Sequence, residues 1–332
     1  MIIGVNHVAS KYNPGGGVND LLTYGASIAA ASGCTAFKGF ATGTPAVDYP
    51  GQTFSGSPTD LTSLIQTTAW QTVIGLFDTV VLNAFTYTNG RDNRWTVDIT
   101  NDHLEAEYNE VKELADYWLA NQPNKTLVIQ NWEGDWSLLG GFEPTTSVPQ
   151  NRPARMAAFL RARQEAVEAA RKGSGSSATV MHGVEVNRVL DGFGARVHRD
   201  VLDTIRPDMV SLSLYEAINT WGANQADANA SIDALVPKVR DKIRMATRDR
   251  CLIYVGEGAW PEADPSFTSL SLNAGTMMTR TLDLCESLGM WGFFPWNLFD
   301  NEELSPGVPR GYYMVKPDGA LSDQGVVVAA RW

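Results

Sequence analysis

Short apolar runs typical of strands alternate along this chain with longer segments whose apolar residues recur at helical spacing. The predicted strands are Met1–Val8, Cys34–Ala41, Thr79–Thr88, Thr126–Asn131, Thr179–Asn187, Met209–Leu214, Cys251–Gly256 and Trp291–Trp296. The predicted helices are Val18–Ala31, Thr59–Leu76 in one or two pieces, Asp102–Asn121, Pro153–Lys172, His198–Ile205, Ala226–Thr247 and Ser266–Leu288. Strict alternation of strands and helices indicates a parallel sheet with helical crossovers. Eight repeats favour an α/β fold closed into a (β/α)8 TIM barrel over an open sheet.

The chain shows no linker, low-complexity segment or change of composition that would divide it. We therefore predict that residues 1–332 form a single (β/α)8 catalytic barrel, with 297–332 as a closing loop and C-terminal segment. Only the helical segment 322–330 is left to cover the last strand. The 44% hydrophobic and 19% charged residues are typical of a globular protein with a large core.

Net charge limits the classes of partner. The formal charge is −11 and no stripe of Lys and Arg is present, so we expect neither nucleic acid nor a membrane surface as a partner. The N-terminal residues read as a first strand and not as a signal peptide. Cellular location stays open, since a trimmed secreted chain and a cytoplasmic chain would look alike here, and the pattern does not predict the oligomeric state.

In a barrel of this type the chemistry lies at the carboxyl ends of the strands, so the residues there matter most. The fourth predicted strand runs from Thr126 into Gln-Asn-Trp-Glu, ending near Glu133. The seventh ends at Glu257, between two glycines. Cleavage of a glycosidic bond needs such a pair, one carboxyl group to protonate the leaving oxygen and one ionised to attack or to activate water. Glu133 and Glu257 are the predicted catalytic pair.

This order of strand ends resembles that of the clan A glycoside hydrolases, which are (β/α)8 retaining enzymes. The resemblance implies that Glu133 is the acid/base and Glu257 the nucleophile. It also implies that Tyr215 hydrogen-bonds the nucleophile and that Trp296 forms the floor under the scissile sugar. Members usually have Asn directly before the acid/base, whereas Trp132 stands between Asn131 and Glu133 here. Asp135 is the alternative acid/base.

Further polar and aromatic residues near the strand ends are predicted to bind substrate. The predicted set, beyond Tyr215 and Trp296, is Asn131, His7, Asn83, Glu185, Asn187 and Trp136. Period two along a strand predicts that Asn131 and Glu133 share a face, as do Glu185 and Asn187. The four histidines lack the spacing of a metal-dependent barrel, so we expect no metal and no organic cofactor.

The sequence thus predicts a retaining glycoside hydrolase that acts on an oligo- or polysaccharide, with carboxyl groups about 5 Å apart. Two alternatives stay open. One is a carbohydrate-binding barrel without catalysis, suggested by the interposed Trp132. The other is a transglycosylase that uses the same residues. The pattern does not predict which sugar is bound, which anomer or linkage is cleaved, or whether the action is endo or exo.

Overall fold

A computed structural model describes residues 1–14, 20–90 and 94–332 of the chain. Within these residues, parallel strands surround a central axis and helices surround the strands, which confirms the predicted (β/α)8 barrel. The strands of the ring are β1 (Ile2–Ile3 and Val5–Asn6), β2 (Ala36–Ala41), β3 (Thr79–Ala84), β4 (Thr126–Gln130), β5 (Thr179–Val186), β6 (Met209–Ser213), β7 (Leu252–Glu257) and β8 (Gly292–Phe293).

The first strand closes the ring because its two halves pair with different neighbours. Ile2–Ile3 pairs with β8, and Val5–Asn6 pairs with β2. The buried Asn6 side chain reinforces the closure, since its Nδ2 donates to Gly256 O at 2.8 Å and to Phe294 O at 2.9 Å. Three strands are thereby joined through one amide, which leaves Asn6 no role at the surface.

The helices follow the predicted segments closely, with some of them divided. They are α1 (Leu21–Ala31), α2 (Pro45–Asp48), α3 (Leu61–Ile65), α4 (Thr68–Leu76), α5 (Asn101–Asn121), α6 (Gly134–Leu139), α7 (Arg152–Arg171), α8 (Val197–Asp200), α9 (Leu202–Ile205), α10 (Tyr215–Ile218), α11 (Gln225–Thr247), α12 (Pro265–Thr268), α13 (Ala274–Ser287) and α14 (Asp323–Ala329). The predicted helix start at Val18, and the Gly15–Gly17 run before it, lie outside the described residues. In the described part of the chain, no helix combines the length and apolar character needed to cross a bilayer.

Side chains inside the barrel form two layers of different chemistry. The layer nearer the amino ends of the strands is apolar and consists of Ile2, Ala36, Val81, Val128, Met181, Met209, Tyr254 and Phe294. Two residues further along four of these strands, the inward positions become polar: Lys38, Asn83, Gln130 and Ser211, all buried. The strand period of two thus carries a polar cluster to the carboxyl ends of the strands.

The segment after β8 is fastened across the barrel by side-chain amides. Asn297 Nδ2 donates to Val8 O at 2.8 Å, beside the first strand. Gln324, at the start of α14, donates to Trp260 O at 2.9 Å and accepts from Trp260 N at 3.1 Å. A short hairpin of β9 (Glu303–Ser305) and β10 (Val308–Pro309) projects between these anchors.

Candidate active site

Glu257 reaches the barrel interior through an irregularity in its strand. Leu212 of β6 pairs with Val255 of β7, but the next residue, Ser213, pairs with Glu257, so Gly256 is an extra residue in β7. Such a bulge re-aims the side chains that follow it. Simple alternation from the inward-facing Tyr254 would turn residue 257 outward. The bulge instead brings its carboxylate to the polar cluster.

Glycine is required at the bulge because the interior is full there. A Cβ on Gly256 would overlap Ser211 Oγ and would lie 3.1 Å from Lys38 Nζ. The absence of a side chain at 256 therefore makes room for the lysine and the serine that surround the glutamate. The two glycines flanking Glu257 in the sequence are the signal for this close approach.

Glu257 is buried and surrounded by hydrogen-bond donors. Trp132 Nε1 donates to Oε1 at 2.7 Å, Ser213 Oγ donates to Oε2 at 3.4 Å, and Lys38 Nζ lies 3.8 Å from Oε1. Burial, followed by the negative charge of Glu185, raises the pKa of Glu257 to about 8, while Lys38, Trp132 and Ser213 act in the opposite direction. At a pH near 8 this carboxyl group is therefore present in similar amounts in its protonated and ionised forms.

Lys38 is shared between two glutamates. Its fully buried Nζ donates to Glu185 Oε2 at 3.1 Å and to Gly256 O at 3.0 Å, with Glu257 slightly further away. Glu185 Oε2 also accepts from Gln130 Nε2 at 3.1 Å and from Ser211 Oγ at 3.3 Å. One cation and two carboxylates are thus enclosed together, and burial makes their mutual interactions strong.

Glu133 follows β4 in a left-handed backbone conformation, with φ 54° and ψ 47°. Its backbone N donates to Glu185 Oε1 at 2.8 Å. The predicted shared face of Asn131 and Glu133 needs correction. The odd-numbered residues of β4, such as Ile129, pack in the layer outside the barrel, whereas Gln130 and Trp132 face inward. The alternation of inward and outward side chains along β4 would therefore turn Glu133 away from the barrel axis. The left-handed backbone conformation of Glu133 interrupts this alternation.

Asn131 and Asn83 take structural positions beside the pair. Asn131 Oδ1 accepts from the backbone N of Glu185 at 3.2 Å, which joins β4 to β5. Asn83 Oδ1 accepts from Gln130 Nε2 at 2.6 Å inside the barrel, and the Tyr254 hydroxyl donates to Gln130 Oε1. Both asparagines are buried, and each Nδ2 has no hydrogen-bond partner among the described residues. Each therefore keeps its amide NH2 group available as a donor to a ligand or to water.

Asp135 and Asn187 bind each other's backbone. Asn187 Oδ1 accepts from Asp135 N at 3.1 Å, and Asp135 Oδ2 accepts from the backbone N of Asn187 at 2.8 Å and of Arg188 at 2.9 Å. The other Asp135 oxygen accepts from Val197 N at 2.9 Å. Burial raises the pKa of Asp135 to about 6. Both oxygens of this carboxylate hold the loop after β5 in place.

The three predicted aromatic residues differ in their surroundings. Burial raises the pKa of Tyr215 well above its usual value, and the charges of Glu257 and Glu133 act in the same direction, so this ring lies near both glutamates. Among the described contacts of Glu257, however, the aromatic donor is Trp132 and not Tyr215. Trp296 is buried in the segment that follows β8. Trp136 is half-buried, with the Arg188 guanidinium 5.5 Å from its ring centre.

His7 lies outside this cluster. It is fully buried between the barrel and α1, where its Nε2 lies 2.8 Å from Leu21 O and its ring packs against Phe299 and Tyr49. Burial lowers its pKa to about 4. The inward position of β1 is taken by Asn6, so the following residue points outward. The predicted contact of His7 with substrate finds no support in this geometry.

Lys38, Ser211 and Ser213 were missed by sequence reasoning, whereas Trp132 stood out only as an interposed residue and Gln130 was not among the predicted catalytic or substrate-binding residues. A lysine inside an otherwise apolar strand and serines at alternate positions of Met-Val-Ser-Leu-Ser were the available signals, because charged residues are rarely buried without a partner. Across 1–14, 20–90 and 94–332, no group of three or more His, Cys, Asp or Glu side chains is arranged to hold a metal ion.

Comparison with known proteins identifies the fold. No family model matches the chain, and no curated protein matches it significantly. Among solved structures, a variant GH5_18 protein from Streptomyces cattleya in complex with Manβ1-4GlcNAc is 16% identical, with a TM-score of 0.61 over 99% of this chain and 79% of that one. A GH5-4 broad specificity endoglucanase from Clostridium acetobutylicum is 13% identical, with a TM-score of 0.58 over 99% and 96%. A fungal β-1,4-galactanase is 14% identical, with a TM-score of 0.53 over 100% and 99%. At such identities the likeness establishes a shared barrel fold.

Proposed function

We propose that this protein is a retaining glycoside hydrolase that cleaves O-glycosidic bonds of an oligo- or polysaccharide, with Glu257 as nucleophile and Glu133 as acid/base. The observation that carries the proposal is that the side chain of Glu257 and the backbone of Glu133 both bind one buried cluster around Glu185 and Lys38. The backbone of Glu133 is bound by Glu185, and Glu185 shares Lys38 with Glu257. Trp132, the residue before Glu133, donates directly to Glu257.

The reaction follows from two carboxyl groups in different protonation states. An ionised Glu257 oxygen forms a bond to the anomeric carbon while Glu133 donates its proton to the departing glycosidic oxygen. Glu133, now ionised, then takes a proton from water as the water oxygen attacks the anomeric carbon and the bond to Glu257 breaks. Glu133 is half-buried, as the group that meets both the leaving group and water should be. Lys38 and Trp132 favour the ionised form of Glu257 that the first step needs.

Asp135 is a poorer acid/base than Glu133. Its carboxylate is fully buried, and both of its oxygens accept backbone hydrogen bonds that hold the loop around Asn187 and Val197. An acid that turns toward substrate would have to break these bonds in every cycle. We therefore assign the role to Glu133 and regard Asp135 as the residue that orders the loop beside it.

The solved structures that share the fold support a saccharide substrate. They include a complex with Manβ1-4GlcNAc, an endoglucanase and a β-1,4-galactanase. We accordingly expect hydrolysis within a panel of aryl glycosides that covers pyranosides and furanosides of both anomers. β-1,4-Linked mannosides, glucans and galactans are the first oligosaccharides to test, and transglycosylation products are to be sought in the same reactions.

A second candidate function is carbohydrate binding without hydrolysis. Glu257 is 2% exposed and bound by Trp132, and its raised pKa favours the protonated form at neutral pH, which would suit a site that does not react. Tight saccharide binding by calorimetry, with no release of reducing sugar across the panel from pH 5 to pH 10, would support this candidate over the first.

The decisive experiment compares Glu257→Gln and Glu133→Gln with Glu107→Gln, a buried glutamate paired with Arg163 on the helix layer. We expect each of the first two changes to lower turnover by orders of magnitude, and the third to leave the chemistry intact. Glu133→Gln should retain most of kcat/KM on 2,4-dinitrophenyl glycosides, because that leaving group needs no proton in the first step, while kcat should still fall because the second step lacks its base. Proton NMR of the first-formed sugar should give the anomer of the substrate. Inversion, or full activity of both variants, would refute the mechanism.

A further inference from the structure

Glu185 is a buried charged group for which the proposed mechanism has no step. It is fully buried and accepts four hydrogen bonds, from Lys38, Gln130 and Ser211 at one oxygen and from the backbone of Glu133 at the other. A carboxylate with this many donors and no exposed surface cannot contact a sugar. Its predicted role in binding substrate is therefore replaced by an indirect one.

We propose that Glu185 is a positioning residue that serves both proposed catalytic glutamates, fixing the backbone of Glu133 through one oxygen and sharing Lys38 with Glu257 through the other. The inference rests on the function proposed above and adds a residue to it. No local sequence feature relates positions 133, 185 and 257. The relation exists because β4, β5 and β7 deliver them to one polar layer.

The first half of the role is anchoring. Residue 133 has a left-handed conformation that is costly for a residue with a side chain, so neighbouring contacts have to hold it. The hydrogen bond of 2.8 Å from Glu133 N to Glu185 Oε1 is such a contact. Loss of this bond would free the acid/base to leave its place at the leaving oxygen. That failure would be felt most by substrates whose leaving group needs a proton.

The second half is electrostatic. Lys38 Nζ lies 3.1 Å from Glu185 but 3.8 Å from Glu257, so the lysine neutralises Glu185 more directly than the nucleophile. Glu257 also faces Trp132, Ser213, and the phenols of Tyr215 and Tyr254, and the charge of Glu133 acts on Tyr215. Of these neighbours, Glu185 contributes the largest charge effect, and its repulsion raises the pKa of Glu257. Burial is the larger cause of the raised pKa of Glu257, and Glu185 adds to it, so that Glu185 raises further the pH at which the nucleophile ionises.

The charge is tested with Glu185→Gln in protein labelled with 5-fluorotryptophan. The chain has ten tryptophans, and the ¹⁹F signal of Trp132 is assigned as the one absent in Trp132→Phe. Because Trp132 Nε1 binds Glu257, this signal should titrate with a midpoint near pH 8 in the wild-type protein. In Glu185→Gln we expect a midpoint lower by about one pH unit or more, since a like charge is removed. An unchanged or higher midpoint would overturn the electrostatic role.

Glu107→Gln is the matched control, because Glu107 is also buried and paired with a cation, Arg163 at 2.6 Å, but on the helix layer. It should lower the thermal midpoint while leaving the Trp132 titration in place. A shift of that titration in Glu107→Gln equal to the shift in Glu185→Gln would mean that any loss of buried charge has this effect, and would overturn the specific role of Glu185.

The anchor is tested with Glu185→Met, which has similar length and no acceptor. We expect kcat/KM to fall at least tenfold more for methylumbelliferyl or alkyl glycosides than for 2,4-dinitrophenyl glycosides, the pattern of a misplaced acid. An equal loss for all leaving groups in a folded variant would overturn the anchoring role. If the wild-type protein hydrolyses nothing in the panel, the proposed function fails, yet the ¹⁹F midpoints still decide the coupling of Glu185 to Glu257. If hydrolysis is present and the midpoints coincide, only the role of Glu185 fails.

Discussion

Trp132→Phe removes one hydrogen bond from the proposed nucleophile and leaves most of the packing in place. The indole N–H donates to Glu257 Oε1 at 2.7 Å, and the ring packs edge-on against Phe40 with centroids 5.1 Å apart. Phenylalanine keeps an aromatic ring at this position but has no donor. The change therefore tests the interposed residue of the strand-end motif without opening a large cavity.

The magnitude follows from the strength of the lost bond. A hydrogen bond to a charged group contributes roughly 1.5–3 kcal/mol, and water can replace part of it, so a loss of about 1.4 kcal/mol is expected. That corresponds to about one unit of pKa, which would move Glu257 from about 8 to roughly 9. At pH 7 the ionised fraction would fall from roughly 10% to roughly 1%, whereas at pH 10 it would fall only from about 99% to about 90%.

The assay is the pH profile of kcat/KM on the best aryl glycoside of the panel. Because the nucleophile has to be ionised, the acidic limb should move to higher pH by about one unit, so that kcat/KM is about tenfold below the wild-type value at pH 7 and close to the wild-type value when both proteins are compared at pH 10. Trp118→Phe, which alters an indole outside the site that donates to Lys125 O, should leave the limb unmoved. A uniform loss at every pH would show that Trp132 acts on bound sugar, and an unchanged profile would contradict the hydrogen bond to Glu257.

Two further predictions concern the residues that build the site. Gly256→Ala should destabilise the fold by about 1–3 kcal/mol in urea unfolding, because its Cβ would overlap Ser211 Oγ. The double variant with Ser211→Gly should recover part of that loss, and full stability of the single variant would argue against the bulge. Asp135→Asn should cost about 1–3 kcal/mol, since an amide has one acceptor oxygen for three backbone donors. In the Asp135→Asn background, Glu133→Gln should still lower turnover by orders of magnitude. If Glu133→Gln no longer lowers turnover there, the acid/base role would be reassigned to Asp135.

Most of the fold could be predicted from the sequence because its signals are local. A strand buried on both faces needs a continuous apolar run, and a helix over a barrel needs apolar residues at helical spacing, so each element is legible in its own segment. The regions of all eight strands were predicted in this way. Element ends were less accurate, as with β3, which ends at Ala84 instead of Thr88. Strand length depends on neighbours that are distant in the chain.

The candidate site was only partly predictable for the same reason. Glu133 and Glu257 stand out in the sequence because each follows an apolar run. Lys38, which Glu185 and Glu257 share, comes from β2. Trp132, which donates to Glu257, looked in the sequence like an interruption of the Asn-Glu motif. His7 also follows a strand, but Asn6 before it faces the barrel interior, so the side chain of His7 faces outward and contacts α1.

The sequence by itself determined that eight strands and their helices would form, that one glutamate would follow the fourth strand and that another would end the seventh, because hydrophobic periodicity acts over a few residues at a time. Only the tertiary structure decided that a bulge at Gly256 turns Glu257 inward, and that Glu185 lies between it and Glu133. Those relations depend on strand register and on which side chains share the barrel interior. Register is set by the closure of the whole ring, to which every strand contributes at once.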